Sequence, residues 1–375
     1  MPWNARNLMS LRAEFVALAR QPQANLSALC RCYGISRKTG YKWLGRPEVG
    51  DLSRRPHQSP GRCSDAVEQA VLAVRDRFPD WGARKLKRYL QDRGHDALPS
   101  VSTITTILQR HGRIEPAASQ AATPWQRFEH DQPNALWQID FKGHVAMVRG
   151  RCHPLTLLDD HSRFNLLLHA CAGEGLDDVQ GPLEQCFRRY GLPHRISCDN
   201  GSPWGTTQRA DRLTRLGVWF IRLGVGMSHA RPYHPQTNGK DERFHRTLNR
   251  GLLQRRLLRD LADAQEAFDT FRDIYNQQRP HQALDLAVPI SRYRPSERTY
   301  PERLPPIDYG PATLVRKVDS SGRIVLRGRT YRIAKALQGL PVAVRPDPEK
   351  DHYRIVYFCH QSVRRIDLTV DDPMD

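Results

Sequence analysis

The sequence predicts a multidomain chain: N-terminal all-α helix-turn-helix modules, a central mixed α/β domain and a small C-terminal β-barrel. Three observations carry this. Apolar residues at helical spacing, interleaved with cations, fill the first third. From Trp137 the pattern changes to alternating strand and helix. Short strands separated by glycine turns close the chain. A length of 375 residues exceeds one ordinary core. We place a helix-turn-helix domain at 1–46, a linker at 47–64, a second helix-turn-helix domain at 65–112 and a linker at 113–133. The α/β domain with trailing helices covers 134–288, a linker 289–311 and the β-barrel 312–375.

In the first module Leu8, Leu11, Phe15 and Leu18 recur at helical spacing. A helix from Leu26 to Tyr33, the turn Gly34-Ile35-Ser36 and a helix from Arg37 to Leu44 follow. Ser36 can cap that last helix. Its Arg37, Lys38, Tyr41 and Lys42 form a set suited to DNA rather than to a plain helical hairpin. The Pro-, Gly- and Arg-rich stretch after Gly45 ends the module.

The second module repeats the theme with helices at Ala66–Phe78, Ala83–Arg93 and Ser102–Arg110. Arg84, Lys85, Lys87 and Arg88 crowd the middle helix, where a merely solvated basic face is the plainer account. Thr103, with Ser102, Thr105 and Thr106, adds small donors suited to phosphates on the last helix.

In the central domain, strands are expected at Leu136–Phe141, Pro154–Leu158, Asn165–His169, Arg195–Cys198 and Trp219–Arg222. A helix marked by Val179, Leu183, Cys186, Phe187 and Tyr190 separates the third from the fourth. Long helices are expected over 239–258 and 261–278. The tail alternates at Thr313–Lys317, Arg323–Leu326, Thr330–Ile333, Val342–Arg345, Tyr353–Phe358 and Val363–Ile366, with turns at Gly322 and Gly328.

Charge points to a partner. Lys and Arg number 58 against 40 acids, a net +18. A polyanion is the expected ligand. No apolar run reaches the ~18 residues that span a bilayer, and no signal-type segment opens the chain. The location expected is intracellular. The eight cysteines form no CxxC pair and match no closed zinc site, so they read as reduced, mostly buried thiols.

Three acids stand out in this cationic chain. Asp140 ends the first strand, in Trp137-Gln-Ile-Asp-Phe. Asp199 follows the fourth, in Ser197-Cys-Asp-Asn-Gly. Glu242 lies in the first turn of a basic helix, after a loop rich in Pro, Gly and Asn. Each has a plain alternative: Asp-Asn-Gly is a turn signature, Asp140 can be a loop acid, and Glu242 can complement the helix dipole. Together, with Asp140 on a central strand and Asp199 beside it, they suit a pair of hard cations, Mg²⁺ with Mn²⁺ able to substitute, as used in phosphodiester chemistry. Asp159 and Asp160 read as structural. Asp241 falls on the core face with Phe244 and Leu248, so Glu242 is the expected ligand.

The preceding loop and helix supply candidate DNA contacts. Arg231, Lys240, Arg243 and Arg246 can neutralise backbone, and Gln236 and Asn238 can hydrogen-bond it. Tyr233 and His234 can stack on an unpaired base. We expect the segment 224–240 to order on DNA.

The segments Trp137-Gln-Ile-Asp140, Leu158-Asp-Asp-His-Ser-Arg163, Asp199-Asn-Gly-Ser-Pro-Trp204, Arg231-Pro-Tyr-His-Pro-Gln-Thr-Asn-Gly-Lys240, Glu242-Arg-Phe-His-Arg-Thr-Leu248 and Tyr275-Asn-Gln-Gln-Arg-Pro-His-Gln-Ala-Leu284 occur in one order. In this the chain resembles bacterial insertion-sequence transposases with a retroviral-integrase-like catalytic core. The resemblance implies a ribonuclease-H-like core, Mg²⁺ dependence and catalytic acids at Asp140, Asp199 and Glu242. It implies binding to the terminal inverted repeats of a mobile element, cleavage there, joining of 3′-hydroxyls to target DNA, and a homodimer or higher oligomer on DNA. A DNA-binding repressor with an inactive integrase-like core is the alternative. Two departures matter: Asp241 stands where relatives carry a small or apolar residue, and a retroviral-type His/Cys zinc module is absent.

Overall fold

In the computed structural model, which describes residues 8–48, 51, 63–114, 129–199, 201–205, 213–229 and 239–370, the chain divides into two units, Met1–Arg62 and Cys63–Asp375. The first holds α1 (Leu8–Ala19), α2 (Leu26–Cys32) and α3 (Arg37–Leu44). Asn25 caps α2 by accepting from the Ala28 amide at 3.1 Å, and Ser36 caps α3 by accepting from the Thr39 amide at 3.1 Å. Phe15, Val16, Cys30 and Trp43 make the small core. The approach of α3 to α2 depends on Gly40: a Cβ there would lie 2.6 Å from Cys30 Sγ.

The second unit opens with α4 (Asp65–Arg77), α5 (Ala83–Gln91) and α6 (Val101–Arg110). Phe78, Trp81 and Tyr89 stack among Val71, Leu86, Ile104 and Leu108. This three-helix module is docked on the α/β domain. Ile274 of that domain packs against its core. Arg279 pairs with Asp80 at 2.6 Å.

The central sheet contains β1 (Leu136–Phe141), β2 (Val145–Ala146), β3 (Arg151–Asp159), β4 (Asn165–Cys171), β5 (Arg195–Cys198) and β6 (Gly226–His229). β3 pairs antiparallel with β1, β2 and β4, while β1, β5 and β6 run parallel. β1 therefore lies centrally, between β3 and β5. On one face, α7 (Leu176–Tyr190) and α8 (Arg215–Arg222) cover Trp137, Ile139, Leu155 and Ile196. On the other, α9 (Gly239–Leu248) and α10 (Leu261–Gln277) cover Leu158, Leu168 and Ala170. The result is a three-layer α/β/α arrangement.

Three sequence expectations are corrected in this domain. Trp219–Arg222 is not a strand but part of α8, and the fifth long strand is β6. The helix is buried on two sides. Leu216, Trp219 and Phe220 face the sheet core, while Val218 and Ile221 enter the C-terminal core. Between Arg215 and Arg222 the run is non-polar and short, so a buried strand and a buried helix read alike. The helix expected over 239–258 ends at Leu248 and continues as a π turn, Asn249–Leu253. There Gly251 leaves room for Phe271, whose ring a Cβ would meet at 2.8 Å. Finally, 289–311 is no free linker. Tyr293 stacks on Phe164 at 4.3 Å, and Arg298 donates to the Gly224 carbonyl at 2.8 Å.

The C-terminal segment was expected as a barrel. It forms instead a four-stranded antiparallel sheet of β7 (Leu314–Lys317), β10 (Pro341–Pro346), β11 (Tyr353–Phe358) and β12 (Gln361–Asp367), with a separate hairpin of β8 (Arg323–Leu326) and β9 (Arg329–Arg332). The two sheets share a core of Val318, Ile324, Tyr331, Val342, Val356 and Phe358. Among the described residues no ladder joins β7 to β12, so the sheet stays open. The hairpin turns on Arg327 (φ 53°) and Gly328 (φ 79°), the positive-φ pair that a two-residue connection favours.

Candidate functional site

Sheet register sets the acids beside one another. β1 and β5 pair in parallel with Gln138 opposite Ser197. Two residues further along each strand stand Asp140 and Asp199, on neighbouring strands roughly 4.8 Å apart. Asp140 is still inside the ladder, opposite Thr156 of β3. Asp199 has just left β5, and its Oδ1 accepts from the Gly201 amide at 3.0 Å.

Helix α9 brings Glu242 over β1. Its buried face is Asp241, Phe244 and Leu248, and Glu242 is exposed on the adjoining face. His245, one turn on, ties the helix to the sheet. Its Nε2 lies 2.9 Å from Thr156 Oγ1, which donates to the Asp140 carbonyl at 3.0 Å. Burial drives His245 down to about 4, so the ring is neutral, and the nearby Lys142 acts in the same direction. A neutral ring can donate from Nε2 to the Thr156 oxygen. Sequence reasoning set His245 on the Glu242 face by helical spacing but gave it no role, and it passed over Thr156.

The three acids act on one another. Burial, then Asp199, pushes the Asp140 carboxyl up to about 7, with Glu174 and Glu242 adding to the effect. Carboxylates that crowd in this way favour a cation. Every candidate ligand is a carboxylate oxygen, the donor that hard divalent ions prefer. Cys198, next to Asp199, is buried and pushed up to about 12, so it offers no thiolate. The residues thus fit a divalent metal by chemistry. Among the described residues, however, no three His, Cys, Asp or Glu side chains stand close enough to hold an ion together. The acids share a field without forming a closed cage.

A second layer of acids is structural. Asp159 accepts from the amides of Asn134 (2.7 Å) and Ser162 (2.8 Å). Asp160 accepts from Gln138 Nε2 at 2.7 Å and from the His130 amide at 2.9 Å, and it pairs with Lys240. Lys240, expected on DNA, is thus turned inward. Asp241 is 1% exposed. Burial, followed by Asp140 and Asp160, pushes it well above the carboxylate range, against the pull of Lys240.

The remaining DNA candidates lie on α3, α5, α6 and α9 or outside the described residues. Arg37, Lys38, Tyr41 and Lys42 are all exposed on α3. On α5, Arg84 is exposed, Arg88 pairs with Asp92 at 2.7 Å, Lys87 is half-buried and Lys85 turns toward the α/β domain. Thr103 is used in the cap of α6, its hydroxyl 2.9 Å from that of Ser100. Arg243 and Arg246 are exposed on α9. Arg231, Tyr233, His234, Gln236 and Asn238 lie outside the described residues.

Comparison with known proteins agrees with this layout. Residues 130–235 and 223–289 match two family models, each described as an integrase core domain. Residues 313–373 match the IS481 family transposase C-terminal domain, and 39–108 match a homeodomain-like domain. The chain is similar to the insertion element IS407 uncharacterized 31.7 kDa protein of Burkholderia multivorans: 28% identity over 157 residues, 42% of this chain and 54% of that protein. It is similar to the Gag-Pol polyprotein of baboon endogenous virus: 26% identity over 202 residues, 52% of this chain and 11% of the polyprotein. Among solved structures, the HTLV-2 integrase catalytic core domain in complex with magnesium aligns with 44% of this chain and 99% of its own, at 16% identity and a TM-score of 0.34. Among the described residues no helix is long and apolar enough to cross a membrane.

Proposed function

We propose, for a chain that belongs with the insertion-sequence transposases carrying an integrase core, that it is a divalent-metal-dependent DNA transposase. It binds the terminal inverted repeats of its element, nicks at the ends and joins the 3′-hydroxyls to target DNA as a homodimer or larger assembly. The observation that carries this reading is the register that sets Asp140 and Asp199 on neighbouring strands with Glu242 on the helix above them; burial, then Asp199, raises Asp140 to about 7.

Asp140, Asp199 and Glu242 would hold Mg²⁺. The ion, when bound, supplies an activated oxygen nucleophile and stabilises the leaving 3′-oxygen. The chain's own residues prepare this. Thr156 and His245 fix the Asp140 backbone against α9, so Asp140 and Glu242 keep one orientation. Lys240, held by Asp160, anchors the start of α9 to the sheet. The exposed cations of α3 bind and orient the DNA backbone, and Arg243 and Arg246 do so beside the acids.

The test uses the purified chain and a duplex made from the DNA flanking its coding sequence, in Mg²⁺ or EDTA. A nick leaving a 3′-hydroxyl in Mg²⁺ alone is expected. Tight binding with no nick in Mg²⁺ or Mn²⁺ would favour the repressor alternative.

A further inference from the structure

Lys142 stands two residues past Asp140, on the strand at the centre of the sheet. The ladder fixes its place. Phe141 lies opposite Leu155 of β3, and the Lys142 amide donates to the Pro154 carbonyl at 3.0 Å, so the extended backbone of β1 runs on through Lys142. Side chains alternate between the two faces of such a backbone. Trp137 and Ile139 belong to the core under α7 and α8, and Phe141 packs against that same core with its ring 5.9 Å from Trp204. Asp140 takes the other face, where Thr156 opposite it meets His245 of α9. Lys142 returns to that face, about 6.6–6.8 Å beyond Asp140 along the strand. Gly143, at φ 83°, then turns the chain, so the row that carries Asp140 ends at Lys142.

The other cations near the acids are engaged or point outward. Lys240 is paired with Asp160, while Arg243 and Arg246 are exposed on α9. Lys142 is half-buried, and among the described residues it makes no ion pair, not even with Asp140 two residues before it. A cation partly withdrawn from water is costly until an anion meets it. The acids are not that anion, since they suit a divalent ion instead. A DNA phosphate drawn to the same edge of the strands is. Lys142 and Asp140 share one strand, so the backbone itself sets the spacing between the cation and the acid.

We propose that Lys142 is a catalytic residue, its ammonium donating to a non-bridging oxygen of the phosphate cut at the element's end. This rests on the transposase reading and adds a cation to that site. In the nick a water oxygen bonds to phosphorus and the bond from phosphorus to the 3′-oxygen breaks. The water gives up a proton to solvent, and the 3′-oxygen takes one from solvent. Negative charge develops on the phosphoryl oxygens on the way, and an ammonium already in position opposes it without rearranging. Lys142 keeps its own protons throughout.

The test compares two duplexes that span the boundary between the element's terminal repeat and its flanking DNA. One carries the ordinary phosphate at that boundary, the other an uncharged methylphosphonate. Binding is measured in Ca²⁺ for wild type, Lys142→Gln and Lys142→Arg, and nicking in Mg²⁺. Neutralising the phosphate should weaken wild-type binding about 10-fold more than it weakens Lys142→Gln binding, because the variant has already lost that contact. Lys142→Gln should nick the ordinary duplex about 100-fold more slowly than wild type. Lys142→Arg, which keeps the charge, should recover part of both losses. Melting without DNA should be unchanged in Lys142→Gln. An equal penalty for neutralisation in wild type and Lys142→Gln overturns the contact, and wild-type nicking in the same experiment leaves the transposase reading standing. A lowered melting temperature with that equal penalty assigns Lys142 to folding and overturns it too. A larger penalty in wild type with no nick by any variant supports the contact and sinks the transposase reading.

Discussion

At the scale of single residues, the site depends on the cost of ionising Asp140. Its folded carboxyl titrates near 7, against 3.8 ordinarily. The sign follows from linkage. Between those values the folded state holds a proton that the unfolded state has released, so stability falls as pH rises through the window. Above 7 the folded chain carries the whole penalty. Asp140→Asn removes it. In EDTA the variant should melt above wild type at pH 8, and the two should converge near pH 4. Equal melting at both pH values would show that ionising the buried Asp140 carries no such penalty. His245 gives a second residue-level prediction. His245→Ala breaks the tie through Thr156 to the Asp140 carbonyl, so nicking should fall about 10-fold or more while DNA binding holds, since a misplaced ligand costs rate rather than affinity. Unchanged nicking would reduce His245 to packing.

At the scale of elements, legibility followed periodicity. β1 and β5 were readable because short β-branched and aromatic runs ended at clear breaks, and α10 because apolar residues recur around its Asp260 cap. The choice of Glu242 over Asp241 also came from helical spacing, and Asp241 is indeed buried with Phe244 and Leu248. α8 was not readable. Its faces contact two cores, so the positions between Arg215 and Arg222 are all non-polar, a run short enough to read as a buried strand. The segment at 289–311 was misread for a related reason. Pro-rich sequence suggests a linker, whereas its anchors Tyr293 and Arg298 are single residues without a period. Lys240 was read as a surface cation because its partner, Asp160, lies far off in sequence. α8 supports a stability prediction. Ile221 is 1% exposed, in the C-terminal core, so Ile221→Ala should cost about 2–4 kcal/mol, measured by denaturant unfolding. A loss well under 1 kcal/mol would mean that the C-terminal sheets do not rely on this helix. In the first unit, Gly40→Val should unfold the α1–α3 module, because its Cβ would lie 2.6 Å from Cys30 Sγ. Retained helicity in a fragment of residues 1–62 carrying the change would contradict that packing.

At the scale of the whole chain, one sheet gathers the chemistry. β1 sits at its centre, β5 beside it, and α9 crosses above, so three acids from distant parts of the sequence meet at one edge of the strands. They are close enough to oppose one another's charge and too far apart to hold an ion as they stand. On the proposed reading, metal and DNA together are expected to complete the cage. The most direct measurement is calorimetric titration of Mn²⁺ into the chain bound to its end duplex, for wild type, Asp140→Asn, Asp199→Asn and Glu242→Gln. Each substitution should weaken Mn²⁺ binding by at least about 10-fold, because each removes a ligand from one shared site. Wild-type Mn²⁺ affinity in any of the three variants would contradict the assignment of that acid to the metal.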